Sequence, residues 1–233
     1  MISIITVVFN GETTIRDTIE SVCRQTLLPT EYIIIDGAST DSTVDIVKHY
    51  MEKYSFIKLI SEKDNGIYDA MNKGINLASG ELIGIINSDD WYEQNALETM
   101  FNAYKSGGSG VYYGILRYLK GEDDFFLDRV GQKFVGEKMI PHPTTFVSKD
   151  VYIAYGTFSL KYKYSSDLEW VLRLVRKNVK FSHVDQIIAN FRIGGASATF
   201  KAGVESLQIR RAYKNITTKA FMIGLLKLRL KHV

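Results

Sequence analysis

The chain has 233 residues, 45% of them hydrophobic and 24% charged, with 18 Gly and only 3 Pro. That balance, with a formal net charge of +3, excludes a disordered chain, and no window approaches the roughly 18 uncharged apolar residues of a transmembrane helix. The single cysteine, Cys23, excludes an internal disulfide and a CxxC zinc site and points to a reducing, cytoplasmic setting.

Ile2 to Phe9 opens the sequence without the basic region and small-residue cleavage site of a signal peptide. Its continuous apolar, β-branched run predicts a strand buried on both faces of a parallel sheet. Ile15, Ile19 and Val22 predict a helix, with Thr13 or Thr14 as N-cap. Tyr32–Ile35 reads as a second strand and Asp36–Asp41 as a turn, followed by a second helix carrying Val44, Val47 and Tyr54. Phe56–Ile60 follows as a third strand, then a helix over Ile67–Ala78 with Met71 and Ile75 on one face and Gly80 near its end. Glu81–Ile86 is a fourth strand, ending in Asn87-Ser88-Asp89-Asp90.

Beyond Trp91 the pattern changes. Val111–Leu119 and Phe125–Val130 predict antiparallel strands around Gly121-Glu122-Asp123-Asp124. Ser166–Lys177 is an amphipathic helix with Leu168, Leu172 and Val175 inward, Lys180–Asp185 and Ile187–Arg192 are short strands, and the chain is helical from Lys201 onward. No linker or repeat interrupts the order, so residues 1–200 read as one α/β domain, with 1–93 and 94–200 forming the two walls of a cleft. Residues 201–233 form a basic tail with eight Lys or Arg against one acid, Glu205, while the rest carries 21 bases and 25 acids. Such a tail suits an anionic partner; a solvated basic helix face is the other reading.

An alternating α/β order predicts a ligand site outside the carboxyl ends of the strands. Phe9-Asn10-Gly11-Glu12, Asp36-Gly37, Glu62–Gly66 and Asn87–Asp90 all fall there, so acidic loops converge on one edge. No GxGxxG follows the first strand, and GxxxxGK[ST], HExxH and GxSxG are absent, which argues against dinucleotide oxidoreductases, P-loop NTPases, zinc proteases and α/β-hydrolases. Adjacent carboxylates such as Asp89 and Asp90 repel unless a cation offsets them, and hard divalent ions bind through such groups together with substrate phosphates. Capping of the next helix is the alternative for this pair; the place after an apolar strand favours the cation. Asp36 and Asp64 are either turn residues or acceptors for a nucleobase N–H or ribose hydroxyls. Lys73, one turn past Asp69, is either placed to reach a phosphate or an exposed helix lysine.

Four segments in this order carry a resemblance: Thr6-Val7-Val8-Phe9-Asn10, the Asp36–Asp41 turn, Asp64-Asn65-Gly66-Ile67-Tyr68-Asp69-Ala70-Met71-Asn72-Lys73-Gly74, and Asn87-Ser88-Asp89-Asp90. Over roughly residues 2–195 the chain resembles the family 2 glycosyltransferases of the GT-A fold, a Rossmann-like nucleotide-binding sheet flanked by helices. The Asp64–Gly74 block looks most like bacterial enzymes that build exopolysaccharide or O-antigen units. The resemblance implies inverting, Mn2+- or Mg2+-dependent hexosyl or N-acetylhexosaminyl transfer from a UDP-sugar to a hydroxyl of a saccharide or polyprenyl-diphosphate-linked acceptor, with no nucleic-acid partner.

Carried over by position, the resemblance implies that Phe9, Asn10 and Glu12 lie at the nucleoside end, with Asp36 and Asp64 at the base and Lys73 toward phosphate. Asp89 and Asp90 fall on a DxD-type motif for ribose and metal; Asn87 replaces its first Asp, which leaves Asp90 as the main ligand. Asp167, in Ser166-Asp167-Leu168-Glu169-Trp170, matches the family's catalytic base, whereas the residues alone also allow a first-turn helix acid. His142, Glu169 and Arg192 fall on the acceptor side, Arg192 being placed to neutralise the leaving diphosphate. A third metal-binding His is missing from Asn190–Ser197. The tail, with Phe221, Met222, Leu225 and Leu228 among Lys219, Lys227 and Lys231, is expected to lie on the inner membrane surface, pack back on the domain or form a dimer contact. A sugar-nucleotide pyrophosphorylase is a competing reading, which the acidic Asn10-Gly11-Glu12 loop disfavours, and a non-catalytic nucleotide-sugar binder is another.

Overall fold

The computed structural model describes residues 1–120, 123–132, 135, 137–193 and 199–231. Its first third follows the sequence pattern closely. β1 (Ile2–Val8), α1 (Ile15–Cys23), β2 (Glu31–Asp36), α2 (Thr43–Met51), β3 (Ile57–Ser61), α3 (Ile67–Leu77) and β4 (Leu82–Ile85) form a parallel sheet in the order β3-β2-β1-β4. β1, β2 and β4 are buried on both faces, which explains their unbroken apolar runs. Ile2, Ile4 and Val8 face one core with α1 and α2, while Ile5 and Val7 face the other with Met71 and Ile75 of α3. Tyr54 lies beyond α2, against the expectation; it stacks on Tyr50 and packs on Phe56, so its burial comes from an aromatic turn rather than from a helix face.

A polar brace lies at the amino ends of these strands. Glu31, buried, accepts hydrogen bonds from Ser3 Oγ at 2.6 Å, Ser79 N–H at 2.6 Å and Lys58 Nζ at 2.6 Å. Burial works against its ionisation, but the bonds from Lys58, Ser3 and Ser79 outweigh that and bring its pKa down to about 2.

The second part of the chain contains β5 (Trp91–Tyr92), α4 (Ala96–Gly107), β6 (Val111–Lys120), β7 (Asp123–Asp128), a single 3-10 turn over His142–Thr144, β8 (Phe146–Ser148), α5 (Lys149–Tyr155), α6 (Ser166–Arg176) and β9 (Phe181–Arg192). Short β8 joins the two halves, pairing antiparallel with both β4 and β6. β6 runs parallel to β9, and β7 folds back antiparallel on β6. The two short strands expected over Lys180–Arg192 are one strand, whose register on β6 shifts on either side of Ile115. Polar residues at Asp185 and Gln186 look like a break in sequence; they lie on an irregular stretch between the His183–Tyr113 and Ile187–Ile115 pairs, after which β9 resumes its pairing with β6. β7 begins at Asp123 rather than Phe125.

The tail, expected to be helical from Lys201 onward, forms two helices, α7 (Phe200–Ala212) and α8 (Thr218–Lys231). α7 packs on α6, with Ile209 fully buried beside Leu168 and Leu172. α8 folds back on α7, where Gly203 admits Leu228 and Gly224 admits Leu207. No described helix is long and apolar enough to cross a membrane.

Candidate active site

A cleft of about 1000 Å³ opens at the carboxyl ends of β1 and β4 and is closed opposite by β6, β7, the end of β9, the His142–Thr144 turn and the head of α6. It gathers Phe9, Asn10, Asp64, Asp89, His142 and Asp167. Glu12, Asp36, Lys73, Asp90, Glu169 and Arg192 do not line it, and each has a place of its own.

The loops at the nucleoside end are knitted together by backbone donors. Asn10, at φ +51°, donates its N–H to Ser39 Oγ at 2.8 Å, and its Oδ1 accepts from Thr40 N–H at 2.9 Å. This leaves Phe9 63% exposed at the mouth of the cleft. Glu12 accepts the Ser42 N–H at 2.9 Å, one layer behind. Asp36 is fully buried and takes hydrogen bonds from Ser39 and from Ser61 Oγ at 2.6 Å, so it braces the loops instead of facing the cavity. Asp64 accepts the Gly66 N–H through Oδ1 at 2.8 Å. A Cβ on Gly37 would stand 2.6 Å from Asp64 Oδ2 and 3.4 Å from the Phe9 ring, so the glycine lets these two side chains converge. Lys73 is held at 2.8 Å from Glu62 and 3.1 Å from the Lys63 carbonyl, where it anchors the loop carrying Asp64.

At the end of β4, Asp89 faces the cleft and Asp90 lies buried behind it. The Asp90 carboxylate receives the Arg192 N–H at 3.3 Å and the Asn87 amide at 3.5 Å, both long. Burial, and then the neighbouring Asp89 carboxylate, push its pKa well above the usual range. Asn87, which lines the cleft, has its Oδ1 buried without a hydrogen-bond partner among the described residues. Three oxygen-bearing side chains, one of them orphaned and one an under-compensated carboxylate, suit a hard divalent cation.

Across the cleft, Asp167 is the second residue of α6. Its Oδ1 accepts the Tyr68 hydroxyl at 2.9 Å and the Leu168 N–H at 2.9 Å; its Oδ2 has no hydrogen-bond partner among the described residues. Burial and the Asp167 charge push the Tyr68 phenol far up, so it stays protonated and donates. His142 lies on the same wall, its ring edge toward Phe158 at 5.9 Å and its Nε2 buried without a partner among the described residues. Burial pushes its pKa down, with Asp167 opposing, so a neutral imidazole faces the cleft at neutral pH.

Two acceptor-side expectations are corrected. Glu169 is buried on another face of α6, paired with Arg173 at 3.2 Å and with the Tyr213 hydroxyl of the segment after α7. The Arg192 side chain points into a separate pocket of about 420 Å³, over Trp91 at 5.2 Å and bonded to Asp17 at 3.0 Å. The reason is strand alternation at the end of β9: the backbone N–H serves Asp90 while the guanidinium leaves the cleft. Residues 194–197 of the segment compared for a third metal ligand lie outside the described residues.

Sequence reasoning missed Tyr68 and Lys163. Tyr68 shares its helix phase with Met71 and Ile75, so it reads as core; its hydroxyl nevertheless reaches Asp167. Lys163, four residues before Asp167, is the single Lys or Arg among the described residues lining the cleft.

A sequence profile described as "Glycosyl transferase family 2" matches residues 3–207. The chain belongs to that family. It is 36% identical over 110 residues to the cholesterol galactosyltransferase of Borreliella burgdorferi, a span of 47% of this chain and 31% of that protein. It is 28% identical over 210 residues to the PGL/p-HBAD biosynthesis glycosyltransferase of Mycobacterium tuberculosis, covering 85% of this chain and 80% of that one. The fold is that of S. aureus TarS residues 1–349, solved in complex with UDP-GlcNAc, with a TM-score of 0.74 at 17% identity over 99% of this chain and 72% of that one. The expected GT-A sheet is therefore present, and the family assignment extends into α7.

Proposed function

We propose that the chain transfers a glycosyl group from a nucleotide sugar, best a UDP-sugar, to a hydroxyl of a saccharide or lipid-linked saccharide with inversion. The observation that carries this reading is one cleft holding the Asn87–Asp89 strand end on one wall and Asp167, whose Oδ2 has no partner among the described residues, on the other. The S. aureus relative of the same fold binds UDP and UDP-GlcNAc, which supports a uridine donor.

In this reading Phe9, Asn10 and Asp64 flank the nucleoside, and Asp167 Oδ2 takes the proton of the acceptor hydroxyl. The acceptor oxygen bonds to the anomeric carbon from the face opposite the diphosphate as the bond to the phosphate oxygen breaks and its electron pair leaves on UDP. Tyr68 keeps the carboxylate in place, and Lys163 supplies positive charge to a cleft whose other charged lining residues, among those described, are the acids Asp64, Asp89, Asp128 and Asp167. Asn87, Asp89 and Asp90 would hold Mn2+ or Mg2+, which when bound neutralises charge on the leaving diphosphate. His142 Nε2, unpartnered, is suited to a sugar hydroxyl.

The tail reading sharpens as well. Phe221, Leu225 and Leu228 turn toward α7 or are partly covered, whereas Met222, Ile223 and Leu226 are exposed and flanked by exposed Lys219, Lys227 and Arg229. That apolar face with a basic border suits the anionic inner surface of a membrane, where a lipid-linked acceptor would be met.

The test is a thermal-shift comparison of UDP with and without Mn2+. At 100 times the dissociation constant a site-specific ligand adds about 2.7 kcal/mol. A UDP shift that requires Mn2+ and loses that requirement in Asp90→Asn supports the reading; no shift with any nucleotide diphosphate overturns it.

A further inference from the structure

We infer that Glu205 of α7 is a positioning residue for the transfer step, so that α7 completes the active site instead of hanging from it. Glu205 is the one acid among the eight basic residues of segment 201–233. Its carboxylate accepts three successive backbone N–H groups: Lys163 on Oε2 at 2.9 Å, and Tyr164 and Ser165 on Oε1 at 2.7 Å each. Hydrogen bonds to an ionised acceptor are roughly twice as strong as neutral ones, and three on one carboxylate fix a loop in place.

That loop is the lead-in to α6. Lys163 and Tyr164 line the cleft, and Asp167 follows two residues after Ser165. Ser165 occupies the N-cap position of α6, yet it makes no side-chain cap to its own helix; its hydroxyl turns to Ser206 Oγ at 2.9 Å, on α7. The first turn carrying Asp167 is thus anchored from α7 rather than by its own cap. α7 in turn is seated on α6 by buried Ile209, by the Tyr213 hydroxyl on Glu169 and by Arg176 over the Tyr213 ring at 4.5 Å. A rigid helix therefore delivers the carboxylate, the condition for holding a reacting group to within a fraction of an ångström. The inference rests on the reading of Asp167 as the base.

Four variants of the full chain test it. Glu205→Gln keeps an oxygen for Tyr164 and Ser165 but loses the charge and the second acceptor, while Glu205→Ala loses all three bonds. The expected result is a graded fall in kcat, about tenfold for Gln and further for Ala, with the affinity for UDP within twofold of the parent protein. Leu228→Ala loosens the packing of α8 on Gly203 without touching the clasp; it lowers Tm and keeps kcat. Unchanged kcat in Glu205→Gln, or a loss no larger than that of Leu228→Ala at matched Tm, overturns the inference. Asp167→Asn separates it from the underlying reading. Turnover surviving in Asp167→Asn removes the base and this inference together; turnover lost there, with Glu205→Gln unaffected, removes the inference alone.

Discussion

The two walls of the cleft are held by different means. On the nucleoside wall, Phe9, Asn10, Asp64 and Asp89 stand at strand ends, and their loops are stitched by bonds such as Thr40 N–H to Asn10 and Gly66 N–H to Asp64. Sheet topology puts them there, because parallel strands ending level must bring their loops together. On the opposite wall, Asp167 depends on Tyr68, 99 residues earlier, and on a loop held by Glu205, some 40 residues later. The first wall is a product of the fold and tolerates the loss of one contact. The second is assembled from a few long-range side-chain bonds and is where single substitutions cut deepest.

The largest effects therefore fall on Asp167 and its partner. Asp167→Asn keeps the shape and one acceptor for Tyr68 but abolishes proton abstraction; kcat falls by about 10² to 10⁴ while UDP binding persists. Tyr68→Phe removes the one side-chain hydroxyl seen on Asp167 Oδ1. A hydrogen bond to a charged group contributes roughly 1.5–3 kcal/mol, so a tenfold or greater fall in kcat is expected, with little change in the donor's dissociation constant. Steady-state kinetics beside UDP titration separates the two quantities. Equal loss of kcat and donor affinity would show that Tyr68 is a packing residue of α3, and the contrast between the walls would weaken.

The nucleoside half offers a different break point, in stability rather than in rate. The Glu31 pKa of about 2 lies below its ordinary value of 4.5. A carboxylate whose pKa is depressed on folding stabilises the protein above the unfolded value, and that contribution is lost as pH falls from about 4.5 toward 2. The size is on the order of 3 kcal/mol for a shift of this magnitude. Denaturant titrations across that range should show a steep acid loss in the parent chain and a flatter curve in Glu31→Gln, which is already less stable at pH 7. The kcat of Glu31→Gln should be unchanged, because the brace lies at the amino ends of the strands, away from the cleft.

The same division explains what the sequence made legible. The parallel strands were readable from apolar runs such as Ile2–Val8 and Tyr32–Ile35, because burial on both faces leaves a local mark. α4, β8 and α5 left weaker marks: β8 is three residues long, and Phe146 and Val147 carry no alternation over that length. Asp167 was legible only through the resemblance, since an acid in the first turn of a helix is common on its own. Tyr68 and Glu205 were not legible at all. Each acts on a residue far along the chain, and no spacing within one element encodes such a partner.

The smallest effect is expected at Arg192, a position expected on the acceptor side to neutralise the leaving diphosphate. Its guanidinium makes a surface pair with Asp17 and lies over Trp91, outside the cleft. Exposed pairs of this kind contribute about 0–1 kcal/mol. The part of Arg192 that touches the candidate site is its backbone N–H on Asp90, and alanine retains it. Arg192→Ala should leave kcat and the Mn2+ dependence of UDP binding within about twofold, with at most a slight fall in Tm. Steady-state kinetics and UDP titration of this one variant decide between two accounts of the leaving group. A tenfold loss of kcat would mean that the arginine swings into the cleft when a diphosphate is bound. Retained activity leaves Lys163 as the side-chain cation that the described cleft supplies.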